Sequence, residues 1–230
     1  MAQRLKRVLI GVVAGMAALA AGVWCLIHSL GEREPLFDGR PVAYWQTQLE
    51  SQDVAISNAA EVVIETKVIP RLTEVMFHDT HDSRLREALI DYLNQLPGVM
   101  IYHTPADGRR ALAAGGLAAL GPHAEAAIPD LIKVIHSKDE PVRIAAVSAL
   151  GPIHSRPGTV IPLLTACLED PQDGLPEAAV ESLGYFGALS RPAWPKLVPM
   201  LKVRDKDLQR ALKIALKQID PDEAAKVGIK

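Results

Sequence analysis

From about residue 108 onward, apolar positions return every 33 residues. Leu117, Leu150, Leu183 and Leu216 form one column, and Ala113, Ala146, Ala179 and Leu212 a second. Leu112, Ala145, Ala178 and Ala211 make a third, and Gly116, Ala149, Ser182 and Ala215 a fourth. Within a unit these positions fall at i, i+1, i+4 and i+5, one stripe of an α-helix. A second motif keeps the same interval: Ile128-Pro129, Ile161-Pro162 and Trp194-Pro195, each followed by Leu131, Leu164 or Leu197. Proline tolerates a first helical turn, where its missing N–H has no partner to lose, so a short helix is predicted to start at each of these prolines. Gly151 and Gly184 follow the leucine column and are expected to end the longer helix in a left-handed cap. Neither helix can bury its stripe alone, and stacking successive pairs makes a continuous core. The pattern predicts an all-α chain, an α-solenoid of stacked antiparallel helix pairs.

The pattern sets boundaries. Residues 108–220 hold the regular 33-residue repeats, and 221–230 read as a tail. Residues 42–107 are less regular, with opening helices expected at 42–50 and 53–65. Ile69-Pro70-Arg71-Leu72 repeats the proline motif. A longer helix is expected from Asp82 to Leu96, with Leu85, Ala88, Leu89 and Tyr92 on one face. The stretch 97–107 is too short for a full pair and predicts an extended connector, with Val99, Met100, Ile101 and Tyr102 against the array. In the last unit Val147 and Val180 give way to Lys213, and Gly151 and Gly184 to Lys217. A terminal repeat has no neighbour on one side, so a polar face there is the expected cap.

Residues 8–27 are apolar and uncharged, with Arg4, Lys6 and Arg7 just before them. Twenty helical residues span roughly 30 Å, the thickness of a bilayer core. Residues 1–30 are therefore expected to form an N-terminal transmembrane anchor. Flanking positive charge keeps the N-terminus cytoplasmic and sends the repeats outside. A cleaved signal peptide is the competing reading, since Ala18-Leu19-Ala20 resembles a cleavage site. The polar stretch 31–41 reads as a tether of under about 40 Å. Composition adds a further constraint. Removing the three N-terminal positive charges from the chain's net −2 leaves −5 on the remainder, which argues against a nucleic-acid binder. Cys25 lies in the apolar run and Cys167 in a helix, so both read as small hydrophobes and no disulfide is expected.

The run Arg143-Ile144-Ala145-Ala146-Val147-Ser148-Ala149-Leu150-Gly151, followed by Val160-Ile161-Pro162-Leu163-Leu164, resembles HEAT repeats of the short type found in phycobilisome-lyase-like proteins. Ala119-Leu120-Gly121-Pro122 with Ala126-Ala127-Ile128-Pro129-Asp130-Leu131 is similar to the same consensus. The opening Glu34 to Trp45 resembles that of bacterial membrane-anchored HEAT proteins. The resemblance implies a HEAT/armadillo-type superhelix whose second helices line a concave, protein-binding face. It makes Asp130, Lys133, His136, Leu163, Glu169, Lys196 and Lys202 the candidate partner-binding residues. It also implies a single-pass protein of the bacterial inner membrane with a periplasmic repeat domain.

Motifs for phosphate, dinucleotide, nucleophile-elbow and zinc-protease chemistry were sought without a match. Some HEAT proteins are enzymes: deoxyhypusine hydroxylase depends on His-Glu dipeptides, and this chain has none. The cluster His78-Asp79-Thr80-His81-Asp82 offers metal-ligand types but reads as a solvated turn between helices. No metal, cofactor, nucleic acid or small-molecule substrate is expected, and no enzyme. The reading is a membrane-tethered scaffold for a protein partner; the alternatives are a lyase-like or other HEAT-fold enzyme, or a structural subunit of an envelope complex. Membranes washed with alkaline carbonate should retain the chain and release it to detergent; recovery of a shortened chain in the soluble fraction would show that residues 8–27 are removed instead.

Overall fold

Side-chain oxygens of Asp53, Ser83, Asp139, Asp205 and Asp220 open five of the helices, accepting from first-turn backbone N–H groups that lack partners within the helix. The computed structural model describes residues 36–95, 99–137, 139–172 and 174–229. The expected anchor at 8–27 and Cys25 lie outside them. Among the described residues no helix is long and apolar enough to cross a membrane. These residues fall into two compact units, 81–105 and the larger 35–80 with 106–230.

The larger unit opens with a two-stranded antiparallel hairpin, β1 (Leu36–Phe37) and β2 (Arg40–Pro41). Asp38 and Gly39 form its turn, both with positive φ, as a tight hairpin of this twist requires. These residues end the stretch expected as a tether. Phe37 is buried, and its carbonyl accepts from Trp45 Nε1 at 2.8 Å. Trp45 lies on α1 (Val42–Leu49). Next comes α2 (Val54–Val63), capped by Asp53, whose carboxylate accepts from the Ala55 amide. A π-helical turn, Ile64–Val68, then runs straight into α3 (Ile69–His78). Pro70 was expected to start a helix. It does take the first turn of α3, where its missing N–H costs least, although the chain enters that helix from a π-helical turn.

The regular part alternates the leucine-column helices with the proline-motif helices. The former, the long helices, are α5 (Ala106–Ala119), α7 (Glu140–Ile153), α9 (Leu175–Tyr185) and α11 (Lys206–Ile219). The latter are α6 (Ile128–Ile135), α8 (Pro157–Cys167) and α10 (Trp194–Met200), which are shorter except that α8 equals α9 in length. The terminal α12 (Pro221–Lys226) follows, packing Ala224 inward, with Ile229 also buried beyond its end. Long helices stack on one another in sequence, α3 on α5, α5 on α7, α7 on α9 and α9 on α11, while α6, α8 and α10 each pack chiefly on the long helix that follows. All four members of the leucine column, Leu117, Leu150, Leu183 and Leu216, are fully buried, as are Ala146, Ala179 and Leu212. Leu112 departs from its column and faces solvent. The polar cap forms as expected, with Lys213 and Lys217 exposed on α11 where Val147 and Val180 are buried on α7 and α9.

The glycines differ from expectation. Gly151 and Gly184 are not left-handed caps; both lie inside helices. A Cβ on Gly151 would stand 2.7 Å from Ser182 Cα, and one on Gly184 would stand 3.2 Å from Ala215 Cα. They are absent side chains that let α7 approach α9, and α9 approach α11. The left-handed positions fall three residues later, at Gly121, His154 and Gly187, with φ of 56°, 51° and 52°. The 33-residue period thus runs through the backbone turn as well. In the middle repeat His154 takes a conformation that glycine supplies on either side, at a cost of roughly 1 kcal/mol, and its ring stacks on Phe186 with centroids 4.9 Å apart. That repeat also begins its shorter helix early, at Pro157, so Pro162 lies inside α8 rather than at its start.

In the smaller unit, α4 (Arg84–Asn94) is capped by Ser83. Its buried face is Ile90 and Leu93, packed with Ile101; Leu85 and Tyr92 of the expected stripe face outward. Of the connector residues, Ile101 is buried while Met100 and Tyr102 are exposed, an alternation proper to extended chain.

Gly151→Ala should lower the unfolding midpoint by an amount equivalent to about 1–3 kcal/mol, because Ser182 backbone must move. Gly115→Ala, whose new Cβ meets nothing within 4 Å, should stabilise by about 0.5–1 kcal/mol. Urea titrations followed by circular dichroism separate the two, and a Gly151 variant as stable as the parent would remove the close-approach argument.

Candidate interaction surface

Along the long-helix layer, arginines reach acids about one repeat away, Arg109 backward and Arg110 and Arg143 forward. Arg109 and Arg110 both lie on α5. Arg109 holds Asp79 in a two-point pair at 2.5 Å for each bond, and Arg110, itself buried, holds Asp139. Asp139 also caps α7. On α7, Arg143 donates to Asp170, to Gln172 Oε1 at 2.8 Å and to the Ile135 carbonyl at 2.8 Å. The Gln172 amide N–H and Arg143 together hold the Asp170 carboxyl below its ordinary range. Cys167 beside it is pushed the other way, first by burial and then by the Asp170 charge, so its thiol stays protonated and acts as core.

Arg110 and Arg143 are one repeat apart, and the next position in register is Pro176. The third rung therefore has no arginine. Asp205 caps α11, accepting from the Asp207 and Leu208 amides at 2.8 and 3.2 Å. Glu177 and Glu181 on α9 face the same end of α11 as Asp207. The Glu177 carboxyl is raised, first by burial and then by the charges of Glu181, Asp207 and Asp205, with Arg210 opposing. Beside this acidic end runs a groove of about 220 Å³ between α9 and α11, lined by Glu181, Tyr185, Ala211, Ile214, Ala215 and Gln218. Tyr185 and Ile214 are 58% and 53% exposed there, two large apolar side chains side by side at one groove.

The residues singled out from sequence lie on the other layer. Asp130 and Lys133 pair along α6 at 2.7 Å. Glu169, just past α8, reaches Lys196 on α10 at 2.8 Å. His136 caps the end of α6 and is exposed, as is Lys202 beyond α10. Leu163 is half-buried against the core. The structure thus joins Glu169 with Lys196 and Asp130 with Lys133, and leaves His136, Leu163 and Lys202 apart from them in these pairings. Exposed pairs of this kind contribute less than about 1 kcal/mol each. The arginine rungs were missed from sequence. Their signal was present, since Arg110 and Arg143 keep the repeat interval and acids stand 29 and 27 residues beyond them.

The histidine–aspartate cluster at 78–82 divides. Asp79 belongs to the larger unit and pairs with Arg109, whereas Asp82 meets His103 in the smaller unit at 3.5 Å.

A family model of HEAT repeats matches residues 99–184. No curated protein sequence matches the chain. Among solved structures, the complex of CpcE and CpcF of phycocyanin lyase from Nostoc sp. PCC7120 is similar over 85% of this chain and 70% of that one, at 20% identity and a TM-score of 0.51. At that identity the likeness is one of fold. It overturns the expectation that the chain is no enzyme: the same architecture serves in a lyase complex, so missing motifs cannot set catalysis aside. Residues 99–184 match HEAT repeats, within a mostly helical, HEAT-like all-α fold.

Proposed function

We propose that this chain is a protein-holding HEAT subunit of a lyase-like assembly, gripping its partner on the α9–α11 face. The incomplete third rung carries the reading. Two repeats neutralise their acids with an arginine from the preceding helix; in the third, Asp207 pairs with Arg210 on its own helix at 3.1 Å, and Glu177, Glu181 and Asp205 are offered to an outside cation, next to a groove with Tyr185 and Ile214 at its lip. The matching partner segment is basic, with an aliphatic or aromatic side chain beside the charge. On the opposite layer Asp130, Lys133, Glu169 and Lys196 already satisfy one another, so that face presents less uncompensated charge. The N-terminal anchor belongs to the proposal: residues 8–27 hold the repeats at the outer surface of a bacterial inner membrane, within reach of an envelope partner. The likeness to the phycocyanin lyase complex favours chemistry performed on the held protein, whether by this chain or by a second subunit.

Glu177 gives the proposal a double signature. Its folded pKa lies above the unfolded one, so its charge costs stability at pH values above the carboxylate range, and that cost vanishes as pH falls below it. Glu177→Gln should therefore raise the unfolding midpoint at pH 7, with the gain lost in acid. The same change combined with Glu181→Gln should weaken retention of the native partner by more than about tenfold when the full chain, in detergent, is used to capture proteins from its own cell envelope. Variants that gain stability and hold every captured protein as well as the parent would remove this face from the function.

A further inference from the structure

The smaller unit brings three ligand types together that the sequence keeps 21 residues apart. Asp82 precedes the cap of α4, and Glu87 lies on its first full turn. Glu87, Ile90 and Asn94 share one face of that helix at spacings of three and four. Asn94 fixes the returning strand at two points: its side chain accepts from the Ile101 amide at 2.7 Å and donates to the Ile101 carbonyl at 3.1 Å. Ile101 is buried on Ile90 and Leu93. Alternation along extended chain then turns Tyr102 outward and His103 back toward the helix, where it reaches the level of Glu87. The imidazole nitrogen of His103 and a carboxylate oxygen from each of Asp82 and Glu87 lie within 4.8 Å of one another.

We infer that Asp82, Glu87 and His103 bind a divalent transition-metal ion. The separations fit. With bonds of about 2.0–2.1 Å, neighbouring ligand atoms around such an ion stand about 3.3 Å apart, and His103 Nε2 is already 3.5 Å from Asp82 Oδ1. The Asp82 and His103 side chains are 16% and 13% exposed, mostly withdrawn from water. An imidazole beside two carboxylates selects Zn²⁺ or Mn²⁺ over Ca²⁺. Three protein ligands leave positions for water or a substrate oxygen, the form of an open site. The ion would also tie the strand to the start of α4, reinforcing a unit whose core is Ile90, Leu93 and Ile101.

The test uses the full untagged chain in detergent, stripped with EDTA and titrated with Zn²⁺ and with Mn²⁺ against a chromogenic chelator. One equivalent should bind per chain. His103→Gln and Glu87→Gln should each weaken binding by more than about tenfold, while the double variant His78→Gln with His81→Gln should bind as the parent does. Cobalt substitution should give a visible d–d spectrum that His103→Gln abolishes. Circular dichroism monitors folding, and the Glu87 variant, close in shape to the parent, decides the matter if the His103 variant unfolds. Absence of stoichiometric binding by either metal, or equal affinity in the parent and the Glu87 variant, would overturn the site.

Discussion

Two long helices can lie flank to flank only where small residues stand at their crossing. Gly151 against Ser182, and Gly184 against Ala215, bring α7, α9 and α11 close enough for the leucine column to mesh behind them. Ser182 also donates to the Val147 carbonyl at 2.8 Å, a buried hydrogen bond across that contact. Everything else follows from this approach. It sets the interval at which Leu150 and Leu183 meet their neighbours, and it brings Arg110 and Arg143 within reach of acids in the next repeat.

The same approach makes the end of the stack different from its middle. An interior helix has its acids met by an arginine from the helix before it. Where Pro176 stands in that register, Asp207 pairs with Arg210 on its own helix, and Asp205, Glu177 and Glu181 gather beside it. Among the described residues the short α12 follows α11, Lys213 and Lys217 are exposed, and the α9–α11 groove has exposed Tyr185 and Ile214 in its lining. On the proposed reading, a solenoid acquires a binding surface in this way through one missing rung.

The repeat was legible because it is a local rule applied over and over. The leucine and alanine columns named the buried face of every long helix except the outward Leu112, and the lysine substitutions named the cap. What escaped depended on partners distant in sequence. Gly151 as a cap and Gly151 as a contact leave the same letter in the chain, and only Ser182 at 2.7 Å tells them apart. The left-handed turn was hidden in the middle repeat because histidine holds a position that glycine marks in its neighbours. In α4 the expected stripe through Leu85 and Tyr92 was off by part of a turn, since the face is chosen by Ile101 on a returning strand that helical periodicity does not see. His103 joined Asp82 and Glu87 for the same reason. The membrane segment is a reading of residues 8–27 alone.

Native-state hydrogen exchange on the full chain tests the central claim most directly. If the small-residue crossings are the spine, amides of α7 and α9 from Val147 to Leu150 and from Val180 to Leu183 should be the slowest to exchange and should open together in one cooperative event, with α4 and α12 opening earlier and separately. Exchange of α7 and α9 as fast as that of α12, or opening of each independently of the other, would contradict the account.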